Sequence, residues 1–125
     1  MELSIRLKCI VSMIEKCDSV IDVGTDHGYV PIYLVQNGIT KQAIASDINR
    51  GPVEKAKNNI VRNNACNQIS CRLGSGLSTV KEGEVQVAII AGMGGNLIRD
   101  ILETDLAIVK KLKYVVLQPV QNAEV

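Results

Sequence analysis

The sequence predicts an α/β fold built on a doubly wound parallel sheet. Its apolar stretches come as short runs of Val, Ile and Ala rather than as polar–apolar alternations, which is how strands buried on both faces read. Stretches with helical spacing lie between those runs, the βαβ pattern of a parallel sheet. The runs also end in glycines and aspartates. Right-handed crossovers and a reversal of strand order leave a ligand crevice at that carboxyl end of the sheet.

The elements follow in order. Leu3, Leu7, Ile10, Val11 and Ile14 are spaced as the apolar face of an opening helix. Residues 20–24 (Val-Ile-Asp-Val-Gly) form a first strand stopped by glycine. Residues 31–37 predict a short helix ended by Gly38, and residues 43–48 a second strand closing on an acidic residue. After Gly51-Pro52, Val53, Ala56, Ile60 and Val61 mark one face of a helix, while Lys55, Asn58, Asn59 and Arg62 mark its wet face. Residues 68–73 are a third strand, stopped by Gly74-Ser75-Gly76. Residues 85–91 are a strongly apolar fourth strand, stopped by Gly92-Met93-Gly94-Gly95. Leu97, Ile98, Ile101 and Leu102 begin another helix, and residues 114–117 are a fifth strand before Gln118-Pro119.

A length of 125 residues suits one compact domain over 1–125, with no linker, repeat or low-complexity stretch. A hydrophobic content of 46% is ample for a core. Three Tyr with no Phe or Trp exclude a row of stacking aromatics, and a formal charge of +1 excludes a nucleic-acid grip by overall charge. Cys9, Cys17, Cys66 and Cys71 lack Cys-x-x-Cys spacing and there is one histidine, so no metal site is expected and the cysteines read as reduced thiols. Glu2, Arg6 and Lys8 interrupt the N-terminal apolar residues, against a signal peptide or membrane span. A soluble, cytoplasmic protein is expected.

The chemistry should sit where the strands end. The first turn reads Asp22-Val23-Gly24-Thr25-Asp26-His27-Gly28. Gly24 lets a ligand approach the backbone, but the spacing is not that of a dinucleotide fingerprint. Asp22 and Asp26 repel a pyrophosphate and suit the ammonium and sulfonium of S-adenosylmethionine. The bland alternative is a plain strand-to-helix turn with Asp26 capping the helix. Asp47, some two dozen residues on, can accept hydrogen bonds from both ribose hydroxyls of an adenosine, a device that NAD enzymes share. Gly74-Ser75-Gly76 either reads an adenine amino group or is an ordinary polar turn. The glycines of Ala91-Gly92-Met93-Gly94-Gly95 exceed what a turn requires, so close approach by a ligand is the better reading.

These residues resemble a known family. Residues 22–31 are similar to the "D-I-G-S-D-H-A-Y-L-P" signature of bacterial tRNA (adenine(22)-N1)-methyltransferases. Leu3-Ser4-Ile5-Arg6-Leu7, Ala45-Ser46-Asp47-Ile48, Ile90-Ala91-Gly92-Met93-Gly94-Gly95 and Leu117-Gln118-Pro119 also fit. One departure is Gly74-Ser75-Gly76-Leu77, where the family usually has Gly-Asp-Gly-Leu. The resemblance implies a Rossmann-like class I core that transfers methyl from S-adenosylmethionine to N1 of adenine 22 in tRNA. It implies cofactor contacts from Arg6, Asp22, Gly24, Asp26, His27, Asp47, Ile48, Gly74, Ser75, Gly76, Ala91, Gly92 and Met93. Such cores usually have seven strands and the family adds a C-terminal helical domain, so a protein truncated after the fifth strand is expected. An edge exposed in this way invites dimerisation or aggregation, and a monomer or weak dimer is expected.

N1 of adenine already carries a lone pair, so the work of the protein is alignment and charge stabilisation rather than deprotonation. Asp26 is the first candidate to face the positive charge of methylated adenine, and it serves equally for the methionine ammonium. His27 and Tyr29 are candidates to shape the pocket or stack on a base that must be unpaired to react. A structural histidine and a core tyrosine are the plain alternatives. Arg6 either meets the cofactor carboxylate or a phosphate, or is solvated, and Lys110, Lys111 and Lys113 either meet RNA or face water. Two other readings stay open: an NAD-binding oxidoreductase domain, and a non-catalytic RNA-recognition module on the same fold.

Overall fold

The computed structural model describes residues 3–120. The elements run α1 (Ile5–Ser12), β1 (Cys17–Val23), α2 (Tyr29–Gln36), β2 (Thr40–Asp47), α3 (Arg50–Arg62), β3 (Ile69–Leu73), a 3₁₀ turn (Gly76–Thr79), β4 (Val87–Met93), α4 (Gly95–Thr104), α5 (Leu106–Val109) and β5 (Tyr114–Pro119). The five strands are all parallel in the order β3-β2-β1-β4-β5. The chain winds outward from β1 to β3, then crosses back to β4 on the other side of β1. Strand order therefore reverses between β1 and β4, the position where doubly wound sheets bind ligands.

Side-chain alternation along the strands divides the core. Val20, Val87, Ile89 and Val116 pack under α1 and α2, and Ala43, Ala45 and Ile69 pack under α2 and α3. Ile21, Val23, Ile44, Ala88 and Ile90 face the opposite way, against Leu77, Ile98, Ile101 and Ile108. The central strands are apolar on both faces, so the runs seen in the sequence are covered by helices on each side.

The boundaries differ from the expected ones in instructive ways. β1 and β2 begin earlier than expected, at Cys17 and Thr40, because their half-exposed amino ends are polar and carry no apolar run. α2 begins at Tyr29 rather than 31, with Pro31 in the first turn, where a missing N–H costs nothing. Its N-cap is Gly28 at φ +76, so Asp26 does not cap the helix and that alternative falls. β4 runs two residues past Ala91, so Gly92 and Met93 belong to the strand instead of ending it. The pairing with β5 shifts register between Ala91 and Met93, and Gly92 sits there at φ +75. A glycine makes this bulge possible. By contrast Gly94, at φ −66, and Gly95 are the N-cap and first residue of α4, with open space where a side chain would stand. The 3₁₀ turn and α5 have too few residues to show a period.

Candidate functional site

Two clefts open at the carboxyl end of the sheet, meeting at Gly24 and Ala91. They lie on opposite faces of the sheet edge. The side chain of Asp22 points with Val20 toward α1 and α2, while Val23 points with Ile21 toward α4. One residue of strand parity thus selects which cleft a side chain enters. Gly24, at φ +73, contributes no side chain to the saddle between them, and the end of Met93 lies over it. A Cβ there would stand 2.6 Å from Met93 Cε.

The cleft on the α4 side holds about 280 Å³, close to the lower end of the usual range for small-molecule sites of about 300–1,000 Å³. Asp47 closes β2 at its rim. Asn49 N donates to Asp47 Oδ1 at 3.0 Å, and Asp26 N lies at the outer limit of a hydrogen bond, 3.5 Å from Oδ2. Each oxygen keeps a further lone pair for a ligand donor. Ile48, 66% exposed, stands beside it as an apolar shelf. Gly74, Ser75 and Gly76 form the far wall, and Leu97 and Ile101 from α4 supply apolar surface opposite Gly92 and Met93. Ser75 is the exposed N-cap of the 3₁₀ turn, and its carbonyl accepts from Ser78 N at 3.0 Å. Its hydroxyl makes no hydrogen bond with the described residues.

The cleft on the α1/α2 side is polar. Gly24 N and Thr25 N both donate to Ser46 O at 2.9 Å, which clamps the first turn to β2. Thr25 Oγ1 donates to Asp22 Oδ2 at 2.9 Å. Asp22 is buried, and burial pushes its carboxyl up to about 7, with a smaller upward push from Asp47 and opposing pulls from Thr25 and Arg6. Burial therefore disfavours the negative charge expected at this position. Asp26 takes the left-handed conformation at φ +57, and its exposed carboxylate lies 3.7 Å from His27 Nε2. His27 and Tyr29 stack with ring centroids 5.1 Å apart and planes 14° from parallel. Tyr29 is 38% exposed, so it is not a core residue. Arg6, exposed at the cleft mouth, donates from Nη1 to Gln118 Oε1 at 2.6 Å, which ties this solvated arginine to the end of β5.

Every site residue expected from the sequence lines one of the two clefts: Arg6, Asp22, Asp26, His27 and Tyr29 one, Asp47, Ile48, Gly74, Ser75, Gly76, Gly92 and Met93 the other, Gly24 and Ala91 both. Sequence reasoning missed the roles of Thr25, Asn49, Leu97, Ile101 and Gln118. Only Thr25 carried a signal, its place three residues after an acid in the turn. Lys110, Lys111 and Lys113 precede β5, and Lys113 N donates to Gln86 O just before β4, so this cluster lies at the amino end of the sheet, away from both clefts. Among the described residues no cluster of three or more His, Cys, Asp or Glu could hold a metal, and no helix is long and apolar enough to cross a membrane.

A doubly wound parallel sheet with an acid closing β2 and acids rather than a glycine-rich phosphate loop after β1 is the arrangement of a Rossmann-like methyltransferase core. Residues 3–125 match the family described as "Methyltransferase domain", and the chain belongs to that family. It is 38% identical over 119 residues to the tRNA (adenine(22)-N(1))-methyltransferase of Bacillus subtilis (strain 168), covering 95% of this chain and 50% of that one. The Streptococcus pneumoniae protein Sp1610 in complex with S-adenosyl-L-methionine superposes with TM-score 0.91 and 39% identity, over 94% of this chain and 56% of that one. M. capricolum TrmK in complex with S-adenosyl-homocysteine gives TM-score 0.79 and 40% identity, over 84% and 48%. The chain spans about half the length of these relatives.

Proposed function

We propose that this chain is the cofactor-binding core of an S-adenosylmethionine-dependent methyltransferase acting on N1 of adenine 22 in tRNA. The observation that carries the reading is the convergence of two chemically different clefts on one bare glycine, with ligand-ready carboxylate oxygens on β2. The residues fit the cofactor: Asp47 retains lone pairs for two ribose hydroxyls, and Gly24 has no side chain to compete with a ligand at the saddle, where only the flexible end of Met93 stands close. Leu97, Ile101 and Ile48 offer apolar surface to an adenine, and Ser75 offers a hydrogen bond to its edge. Asp22, Asp26 and Arg6 offer opposite charges to an ammonium and a carboxylate. Asp26 at the first turn, joined by Asp22 when it is ionised, would repel a pyrophosphate, which disfavours the dinucleotide reading.

When bound, S-adenosylmethionine supplies an electrophilic methyl group. The residues of the chain then act by holding and aligning. Gly24 and Ala91 leave room for the donor to straddle the sheet edge. His27 and Tyr29 present a stacked wall at the mouth for an unpaired base. Asp26, exposed beside them, faces the positive charge that methylation places on adenine. N1 brings its own lone pair, so no group is needed as base. The reading places the chain in the cytoplasm with tRNA as partner, as a monomer or a weak dimer.

The test is calorimetric titration with S-adenosylhomocysteine and, separately, NAD, followed by methyl incorporation into a tRNA transcript. Micromolar binding of the first and none of the second is expected. Binding of NAD alone would overturn the reading in favour of an oxidoreductase domain. Cofactor and tRNA binding without methyl transfer by the full-length gene product would leave the non-catalytic RNA-binding module.

A further inference from the structure

The His27–Tyr29 stack has a second side. Away from the cofactor clefts it borders another, shallow open cleft of about 300 Å³, completed by Lys55, Asn58, Asn59 and Arg62 of α3. The helix buries Val53, Ala56 and Ile60, so residues 55, 58, 59 and 62 form one stripe along its outer face. Asn59 Nδ2 donates to His27 O at 2.9 Å, fixing the stripe against the aromatic pair. α3 carries Arg50, Lys55, Lys57 and Arg62 against Glu54 alone, and Glu54 lies 3.8 Å from Lys57. Lys55 and Arg62 are exposed and make no ion pair with the described residues. A chain of net charge +1 thus presents local, uncompensated positive charge beside its stacked aromatic pair.

We propose that this cleft seats the strand of RNA that leads to the reactive base, with Lys55 and Arg62 on its phosphates and the His27–Tyr29 pair as the platform against which it turns inward. The inference rests on the reading of the neighbouring cleft as the methyl-transfer site, since the same two rings wall both. Charge complementarity favours a polyanion, and an aromatic pair next to two cations is the combination that single-stranded nucleic acid uses. One pair suffices, because the strand passes it toward a neighbouring site instead of being bound along a row.

The test is fluorescence anisotropy of this chain with an unstructured, labelled RNA oligonucleotide over a range of salt, with S-adenosylhomocysteine affinity measured in parallel. The Lys55→Gln/Arg62→Gln double variant should bind RNA about tenfold more weakly at low salt. It should lower the slope of log affinity against log salt by about 1.4, the loss of two phosphate contacts on a single strand. Its affinity for S-adenosylhomocysteine should not change. Tyr29→Ala should weaken RNA binding at least fivefold and Tyr29→Phe should restore it, the mark of a stacking contact. Lys110→Gln/Lys111→Gln, at the other end of the sheet, should leave the slope intact. An unchanged slope in the Lys55/Arg62 variant, or an equal loss in the Lys110/Lys111 variant, overturns the proposal. So does absence of RNA binding by a chain that still binds S-adenosylhomocysteine. Loss of S-adenosylhomocysteine binding by the unaltered chain would instead bring down the cofactor reading.

Discussion

The two clefts that meet at Gly24 are made by different means. On the α4 side the site is shape: glycines at 74, 76 and 92, apolar walls from Leu97 and Ile101, and a single carboxylate at the rim. On the α1/α2 side it is charge: Asp22, Asp26, His27 and Arg6 around a smaller space of about 80 Å³. Both draw on the same strand ends. A ligand spanning them needs a flat apolar-edged part for one and an ionic part for the other. The difference shows how a parallel sheet makes one binding site from two environments, by letting adjacent residues of β1 face opposite ways.

The largest effect should come from the one carboxylate of the shape-defined side. Asp47→Ala should weaken S-adenosylhomocysteine binding by about 100-fold or more, since two hydrogen bonds to a charged acceptor are lost at about 1.5–3 kcal/mol each. Calorimetry reads this directly, and a loss under threefold would show that shape alone holds the nucleoside. Next comes the saddle. Gly24→Ala places a side chain at φ +73 and 2.6 Å from Met93 Cε, so denaturant unfolding should show about 1–3 kcal/mol less stability. Cofactor affinity should fall as well, because both clefts are obstructed at once.

The charged side is probed through pH. Asp22 keeps its proton up to about pH 7 in the folded chain, against an ordinary value of 3.8. Between those values the folded state binds more protons than the unfolded one. The contribution of Asp22 is therefore fully present below about pH 4 and is lost as pH rises through 7. Unfolding midpoints of the parent at pH 5 and pH 8 should differ in that sense, and Asp22→Asn should flatten the difference. Near pH 7, arrival of a cation should expel the proton, making the binding enthalpy depend on the buffer. The smallest effect belongs to the far wall of the shape-defined cleft. Ser75→Asp, which restores the usual residue of the family, should tighten cofactor binding about threefold to tenfold through a charge-assisted hydrogen bond.

Much of this site was legible because its residues sit where strand runs stop, and a run that stops on Gly or Asp is visible without coordinates. Asp22, Asp26, Asp47 and the glycines of 74–76 and 91–93 all announce themselves in that way. What escaped was pairing across the chain. Gln118 gains meaning only from Arg6, and Leu97 and Ile101 looked like ordinary helix-face residues until α4 was seen to wall the cleft. Asn59 looked like part of a wet helix face until its amide met His27 O. β4 was cut short at Gly92 because a glycine reads as a stop, whereas a bulge lets the strand continue through it. The lysines at 110, 111 and 113 stood out by composition yet lie at the opposite end of the sheet, since charge in sequence carries no direction relative to a fold.

The bond between Arg6 and Gln118 joins two positions 112 residues apart. A chain emerging from the ribosome displays Arg6 almost at once, but the acceptor that fixes it arrives only with the last described strand. β1 likewise waits for β4 to cover its second edge. The cofactor mouth is therefore one of the last parts of this sheet to acquire its shape during synthesis. A nascent chain halted before β5 would carry Asp22, Asp26 and Asp47 and still lack the contact that ties Arg6 to the end of the sheet.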